Sequence, residues 1–267
     1  MPAATDFNES LLPLEKMKEI LPDAKKTYEQ AKPFPHIYFD DFFENSVVEK
    51  VLQEFPGEYE IDWIKYYDGH QKKLANEKEQ NMGFFSRYLL YSLNSSLFLK
   101  FLEELTGIPN LISDPSFRGG GLHNIYRGGK LGVHADFNKH ERYGLDRRLN
   151  LLLYLNKNWH EEYGGHIELW DREMKQCVRS YLPKFNRVVI FTTNDTSYHG
   201  HPEPLRCPEN MSRKSMALYY YTNGRPEKEV GNHHSTIFKL RPEEKVESKL
   251  TLKTKKLLSL WLKLFGK

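Results

Sequence analysis

The amino-acid sequence predicts an α+β fold in which N-terminal helices pack on an antiparallel barrel or jelly roll, followed by a C-terminal amphipathic helix. Two changes of pattern carry that reading. Up to Asp114-Pro115 the apolar residues recur at helical spacing, whereas from Gly119 onward the period is two. A run of short strands after a helical block fits helices laid on a barrel. The 267 residues suffice for a sizeable core, and 39% hydrophobic with 13% aromatic residues excludes a disordered chain.

The elements follow in order. Residues 10–31 mix Leu, Lys and Glu and read as a weakly amphipathic helix, and Phe34–Phe39 reads as a strand. Ser46 and Glu49 make a capping box that would open a helix with Val48, Val51, Leu52 and Phe55 on its apolar face. Another helix fits 94–105, where Leu97, Phe98, Phe101, Leu102 and Leu105 keep helical spacing and Gly107 stands just past the end. The strand-like runs are Leu122–Arg127, Arg148–Asn156, His166–Trp170, Cys177–Leu182, Arg187–Thr193 and Arg213–Thr222. Residues 1–113 are thus expected as a helical support, 114–226 as the barrel core and 227–267 as a C-terminal extension. Within 148–154, Leu149, Leu151 and Leu153 share one strand face, suited to packing against a helix. Arg148, Asn150, Leu152 and Tyr154 share the other, which needs a wet or ligand-filled interior.

Charge narrows the partners. Lys and Arg number 39 against 36 Asp and Glu, a net +3 that gives no reason to expect nucleic acid. The excess is concentrated: seven Lys and one Glu between Lys245 and Lys267 leave a local +6, and the rest of the chain near −3. Two cysteines, Cys177 and Cys207, exclude a disulfide scaffold or a four-cysteine zinc module and read as free thiols. Met1–Pro13 shows no secretory pattern, and no stretch approaches the roughly 18 apolar residues of a spanning helix. The expected location is cytoplasmic.

On an extended segment, residues i and i+2 point the same way. His134-Ala-Asp136 therefore aims an imidazole and a carboxylate at one point, where two adjacent positions of a divalent metal could be filled. His160-Glu-Glu162, His166-Ile-Glu168 and His201-Pro-Glu203 share the spacing, and His166 with Glu168 is the strongest rival. Context favours His134. It follows a turn-rich run, Tyr126 to Val133, and a barrel can bring it back to Ser197-Tyr-His199-Gly200 and to the last strand at Arg213.

From Gly119 to roughly Arg225 the sequence resembles the double-stranded β-helix core of the 2-oxoglutarate and Fe(II)-dependent oxygenases, most of all their prolyl 4-hydroxylase-like branch. The residues that carry the resemblance are Tyr126, His134-Ala-Asp136, Leu149–Asn156 with Trp159, Gly164-Gly165, Phe185–Phe191, His199-Gly200 and Arg213–Tyr221. It implies that His134, Asp136 and His199 hold Fe(II), with His201 as the alternative distal ligand. Arg213 would pair with the distal carboxylate of 2-oxoglutarate, unless the long loop after His199 shifts that role to Arg206 or Lys214. Tyr154, Tyr126, Ser215 and Asn150 would line the same pocket, and His123, Asn124 and His201 would contact substrate. With O₂, 2-oxoglutarate would be decarboxylated to succinate and CO₂ while an unactivated C–H bond is hydroxylated, ascorbate serving as a reductant. Relatives that halogenate replace the acid with a small residue, so Asp136 points to hydroxylation.

The substrate is expected to be a peptidyl proline, a sugar, a lipid-linked glycan or a small molecule. Over 250–265, Leu250, Leu257, Leu258, Trp261, Leu264 and Phe265 would share one helical face flanked by lysines. Such a helix suits an anionic membrane surface on its inner face, or a dimer contact. A jelly-roll binding protein without turnover is the expectation from another class.

Overall fold

A computed structural model describes residues 11–244 of the chain. Helix α1 (Leu14–Gln30) leads into β1 (His36–Phe39) and α2 (Asn45–Gln53). The strands β2 (Ile64–Tyr67) and β3 (Gln71–Asn76) precede α3 (Phe84–Leu93), α4 (Ser96–Thr106) and β4 (Ile112–Ser113). The barrel strands are β5 (Gly121–Tyr126), β6 (Lys130–Ala135), β7 (Asp146–Tyr154), β8 (Ile167–Trp170) and β9 (Cys177–Tyr181). After them come β10 (Val188–Thr192), β11 (His199–His201), β12 (Ser212–Thr222) and β13 (Ile237–Phe238). All thirteen strands join one antiparallel sheet in the order β1-β10-β7-β12-β5-β3-β6-β11-β8-β9, with β13 on β6, β2 on β3 and β4 on β12. The curled sheet is the double-stranded β-helix core, with helices on one of its faces.

The period-two pattern decides which face is which. Leu149, Leu151 and Leu153 of β7, Val188 and Ile190 of β10, and Met216, Leu218 and Tyr220 of β12 are all buried against α1 to α4. The alternate residues Asn150, Leu152, Arg213, Ser215 and Tyr219 face a cavity instead. Helix α4 begins at Ser95, whose hydroxyl accepts from the Phe98 amide, and ends at Gly107 in the left-handed region at φ +70°.

Three expectations change. The Ser46–Glu49 capping box does not form: the Glu44 carbonyl already accepts from the Val47 and Val48 amides, so the helix starts two residues earlier and Ser46 lies within its first turn. The N-terminal part holds more sheet than expected: the strand expected at Phe34–Phe39 forms as β1 beside β10, but β2 and β3 are not among the expected strands, and β3 sits between β5 and β6. Arg148 leaves the face expected for it. The β7–β12 register pairs Tyr220 with Leu149 but Tyr221 with Arg147, a bulge that turns Arg147 inward and Arg148 away, onto Thr222 and Glu229. The expected amphipathic helix at 250–265 lies outside the described residues.

Candidate metal centre and co-substrate pocket

Strands β6 and β11 pair so that His134 and His199 are register partners, their ring centroids 4.5 Å apart. Gly200 permits this approach, since a Cβ there would come within 2.8 Å of the Leu131 and Gly132 carbonyl oxygens. Asp136 follows the end of β6 and brings its carboxylate between the rings: Oδ1 lies 3.5 Å from His134 Nε2 and Oδ2 3.4 Å from His199 Nε2. One ligand atom from each of the three residues falls within 4.8 Å of the others. His201 is buried nearby and is not in this group.

The protonation pattern tests whether a cation fits. His134 Nδ1 lies 2.8 Å from the Gly132 carbonyl and His199 Nδ1 lies 2.9 Å from the Ser197 carbonyl. A carbonyl only accepts, so each Nδ1 carries a proton, and in a neutral ring the Nε2 presents a lone pair. Burial pushes His199 down to about 4 against the pull of Asp136, which keeps its ring neutral. Burial would raise the Asp136 carboxyl, but Arg147, His199 and His134 outweigh it and hold the group well below the usual carboxylate range. Neutral rings so oriented turn two lone pairs toward a carboxylate, an arrangement that suits a divalent cation, and the N₂O donor set suits Fe(II).

Arg147 supports the carboxylate. It is 1% exposed, lies 3.0 Å from Asp136 Oδ2 and also donates to Asn150 Oδ1, while Asn150 Nδ2 donates to Asp136 at 2.8 Å. The amide of Asn150 is thus spent on Asp136 and Arg147, which corrects its expected place on 2-oxoglutarate. Sequence reading missed Arg147, because only the bulge reveals which of two adjacent arginines turns in.

Farther along the cavity, of about 460 Å³, lies Arg213. It is 4% exposed, donates from Nε to the Gly165 carbonyl at 2.7 Å and from a terminal nitrogen to the Tyr154 hydroxyl at 3.2 Å. Gly165, at φ +76°, leaves room for it: a Cβ there would meet Leu205 at 2.6 Å and Arg213 itself at 3.0 Å. Among the described residues no carboxylate lies within ion-pair distance of this guanidinium, so it is a buried cation free to take an anion. Arg206 is exposed, and Lys214 points to the helical face, where its amine donates to Ser212. Ser215 and His123 line the cavity, whereas alternation turns Asn124 and Tyr126 to the opposite face of β5, where the Asn124 amide donates to the Tyr126 hydroxyl. Neither Tyr126 nor Asn124 reaches the pocket, a correction to both. The rival pair is elsewhere: His166 bonds Glu161, and Glu168 accepts from Trp170.

Residues 120–221 match the family described as the 2OG-Fe(II) oxygenase superfamily. Over this stretch the chain is similar to the 2-oxoglutarate- and Fe(II)-dependent oxygenases. The chain is similar to mouse prolyl 3-hydroxylase OGFOD1, at 34% identity over 79 residues that make up 28% of the chain and 14% of the length of that relative. Its fold is that of a Trichoplax adhaerens prolyl hydroxylase solved with a hypoxia inducible factor peptide, with a TM-score of 0.53 and 18% identity over 81% of this chain and 96% of that one. A Pseudomonas putida prolyl-4-hydroxylase superposes with a TM-score of 0.51 and 14% identity, over 76% of this chain and 100% of that one.

Proposed function

We propose that the chain hydroxylates an unactivated C–H bond, with His134, Asp136 and His199 as the iron ligands and Arg213 with Tyr154 as the seat of the distal carboxylate of 2-oxoglutarate. The observation that carries this is the placing of two imidazole Nε2 atoms around Asp136 with a buried, carboxylate-free Arg213 in the same cavity. When bound, iron with 2-oxoglutarate and O₂ supplies the oxidising chemistry, the co-substrate leaving as succinate and CO₂. The chain supplies placement. The Gly132 and Ser197 carbonyls fix both ring tautomers, Arg147 and Asn150 orient the Asp136 carboxylate, and the Gly165 carbonyl with the Tyr154 hydroxyl aims Arg213. No side-chain acid or base is required. The names of the relatives favour a peptidyl proline as substrate.

Mixing with Fe(II) and 2-oxoglutarate without air is expected to give a visible charge-transfer band that His134→Ala lacks. In air the wild-type protein should form succinate even without substrate. Arg213→Met should weaken 2-oxoglutarate binding by about tenfold or more, the worth of a charged hydrogen bond of ~1.5–3 kcal/mol. A wild-type protein with neither band nor succinate would overturn the proposal.

A further inference from the structure

The charged groups around the cavity pair off, with two exceptions. Arg118 meets Glu77 and Glu141 at 3.1 and 2.8 Å, Lys139 meets Asp146 at 2.9 Å and Arg147 meets Asp136 at 3.0 Å. Arg213 and Lys73 have no carboxylate within ion-pair distance among the described residues. In the function proposed above, on which this inference rests, Arg213 takes the distal carboxylate of 2-oxoglutarate and the metal takes its other end. Lys73 is then left without a counter-charge.

Its surroundings sharpen the point. Lys73 lies on β3, half-buried in the cavity wall, and its ammonium lies 5.0 Å from the centre of the Tyr66 ring. Burial pushes that ammonium down to about 8, Arg147 and Arg213 add to the push, and Asp136 opposes it from a distance. A cation among cations in a concave wall gains most from an incoming anion, because partial desolvation strengthens the attraction. Gln71 and Lys73 are alternate residues of β3 and share the face that lines the cavity; Tyr66 lines it from β2.

We propose that Lys73 anchors an anionic group of the substrate, a carboxylate or a phosphate, and so fixes the orientation in which substrate meets the oxidising centre. Substrates of this class carry that anion close to the carbon that is hydroxylated.

The test uses the full chain loaded with Mn(II) and saturating 2-oxoglutarate, with inorganic phosphate and acetate as probes. Paramagnetic broadening of the phosphorus and acetate carbon resonances reports an anion held in the cavity. Saturable broadening is expected in wild type and in Lys73→Arg, with binding about tenfold weaker in Lys73→Met. Stronger binding of phosphate than acetate identifies a phosphate-bearing substrate, and the reverse a carboxylate-bearing one. Absence of saturation by either anion, or equal binding by wild type and Lys73→Met, overturns the anchor alone. Water-proton relaxation measured beforehand reports Mn(II) and 2-oxoglutarate binding, and its failure in wild type would overturn the underlying function as well.

Discussion

Arg147 donates to both Asp136 and Asn150 while its guanidinium carbon lies 3.4 Å from the centre of the Tyr219 ring and 4.4 Å from that of Phe137. Planar stacking and forked donation are together an arginine property that lysine does not reproduce. Arg147→Met keeps most of the volume but leaves Asp136 as a buried carboxylate without its guanidinium, a loss of about 3–5 kcal/mol for one member of a buried pair. Urea denaturation should show that loss in metal-free protein and a smaller one with a divalent metal bound, because the ion takes over neutralisation of Asp136. Equal losses with and without metal would reduce Arg147 to a packing residue. The charge-conserving change Arg147→Lys should restore part of the stability and not the stack.

Strand β7 shows how far an element can be read before its neighbours are known. Its Leu149, Leu151 and Leu153 face follows from alternation alone, and the structure buries all three against helices. Which arginine enters the site does not, because the bulge exists only in the pairing with β12. Strand β3 escaped for a related reason: Gln71-Lys72-Lys73 gives no apolar alternation, since one side of it faces a polar cavity. The convergence of His134 and Asp136, the proposed metal ligands, is readable because they are two residues apart and the strand period converts spacing into convergence. The segment that approaches the mouth could not be read from spacing at all. There β13 pairs with β6, setting Phe238 opposite His134 with the rings 5.5 Å apart, and Phe238 stacks on His70 at 4.6 Å. Asn138 ties it down, donating to the Asn232 carbonyl at 2.8 Å and accepting from the His234 amide at 3.1 Å, while His234 meets Asp195 at 2.9 Å. Asn138→Ala removes these two side-chain bonds, worth about 1 kcal/mol each, together with a longer one to Asp195 at 3.4 Å. Hydrogen exchange at the Ile237 and Lys239 amides should then quicken by about tenfold with little change at β7; unchanged exchange would show that strand pairing alone holds β13.

Across the whole molecule, four buried histidines share one electrostatic consequence. His36, bonded to the Phe34 carbonyl and the Tyr181 hydroxyl, is held below its ordinary value by burial, as is His201. Burial takes His199 to about 4 and His123 to about 3, the latter helped by Lys73. Above about pH 6.5 these imidazoles are neutral in folded and unfolded chains alike, and stability is at its full value. As the pH falls below that, the unfolded chain takes up protons that the folded one refuses, so stability declines by up to about 1.4 kcal/mol per pH unit for each proton. For His199 and His123 the decline ends only near pH 4 and pH 3, where the folded rings charge. Asp136 does not contribute in this range, since a depressed carboxyl loses its stabilisation only below about pH 4. Metal-free protein unfolded by urea between about pH 7.5 and about pH 5 should therefore lose stability toward acid with a slope of one proton or more. His201→Leu separates this from general acid sensitivity. Both ring nitrogens of His201 are buried without a hydrogen-bond partner among the described residues, so an apolar replacement costs little at the upper pH. Its profile should be shallower than that of wild type by the share of one proton, and a variant that declines as steeply as wild type would remove His201 from the set.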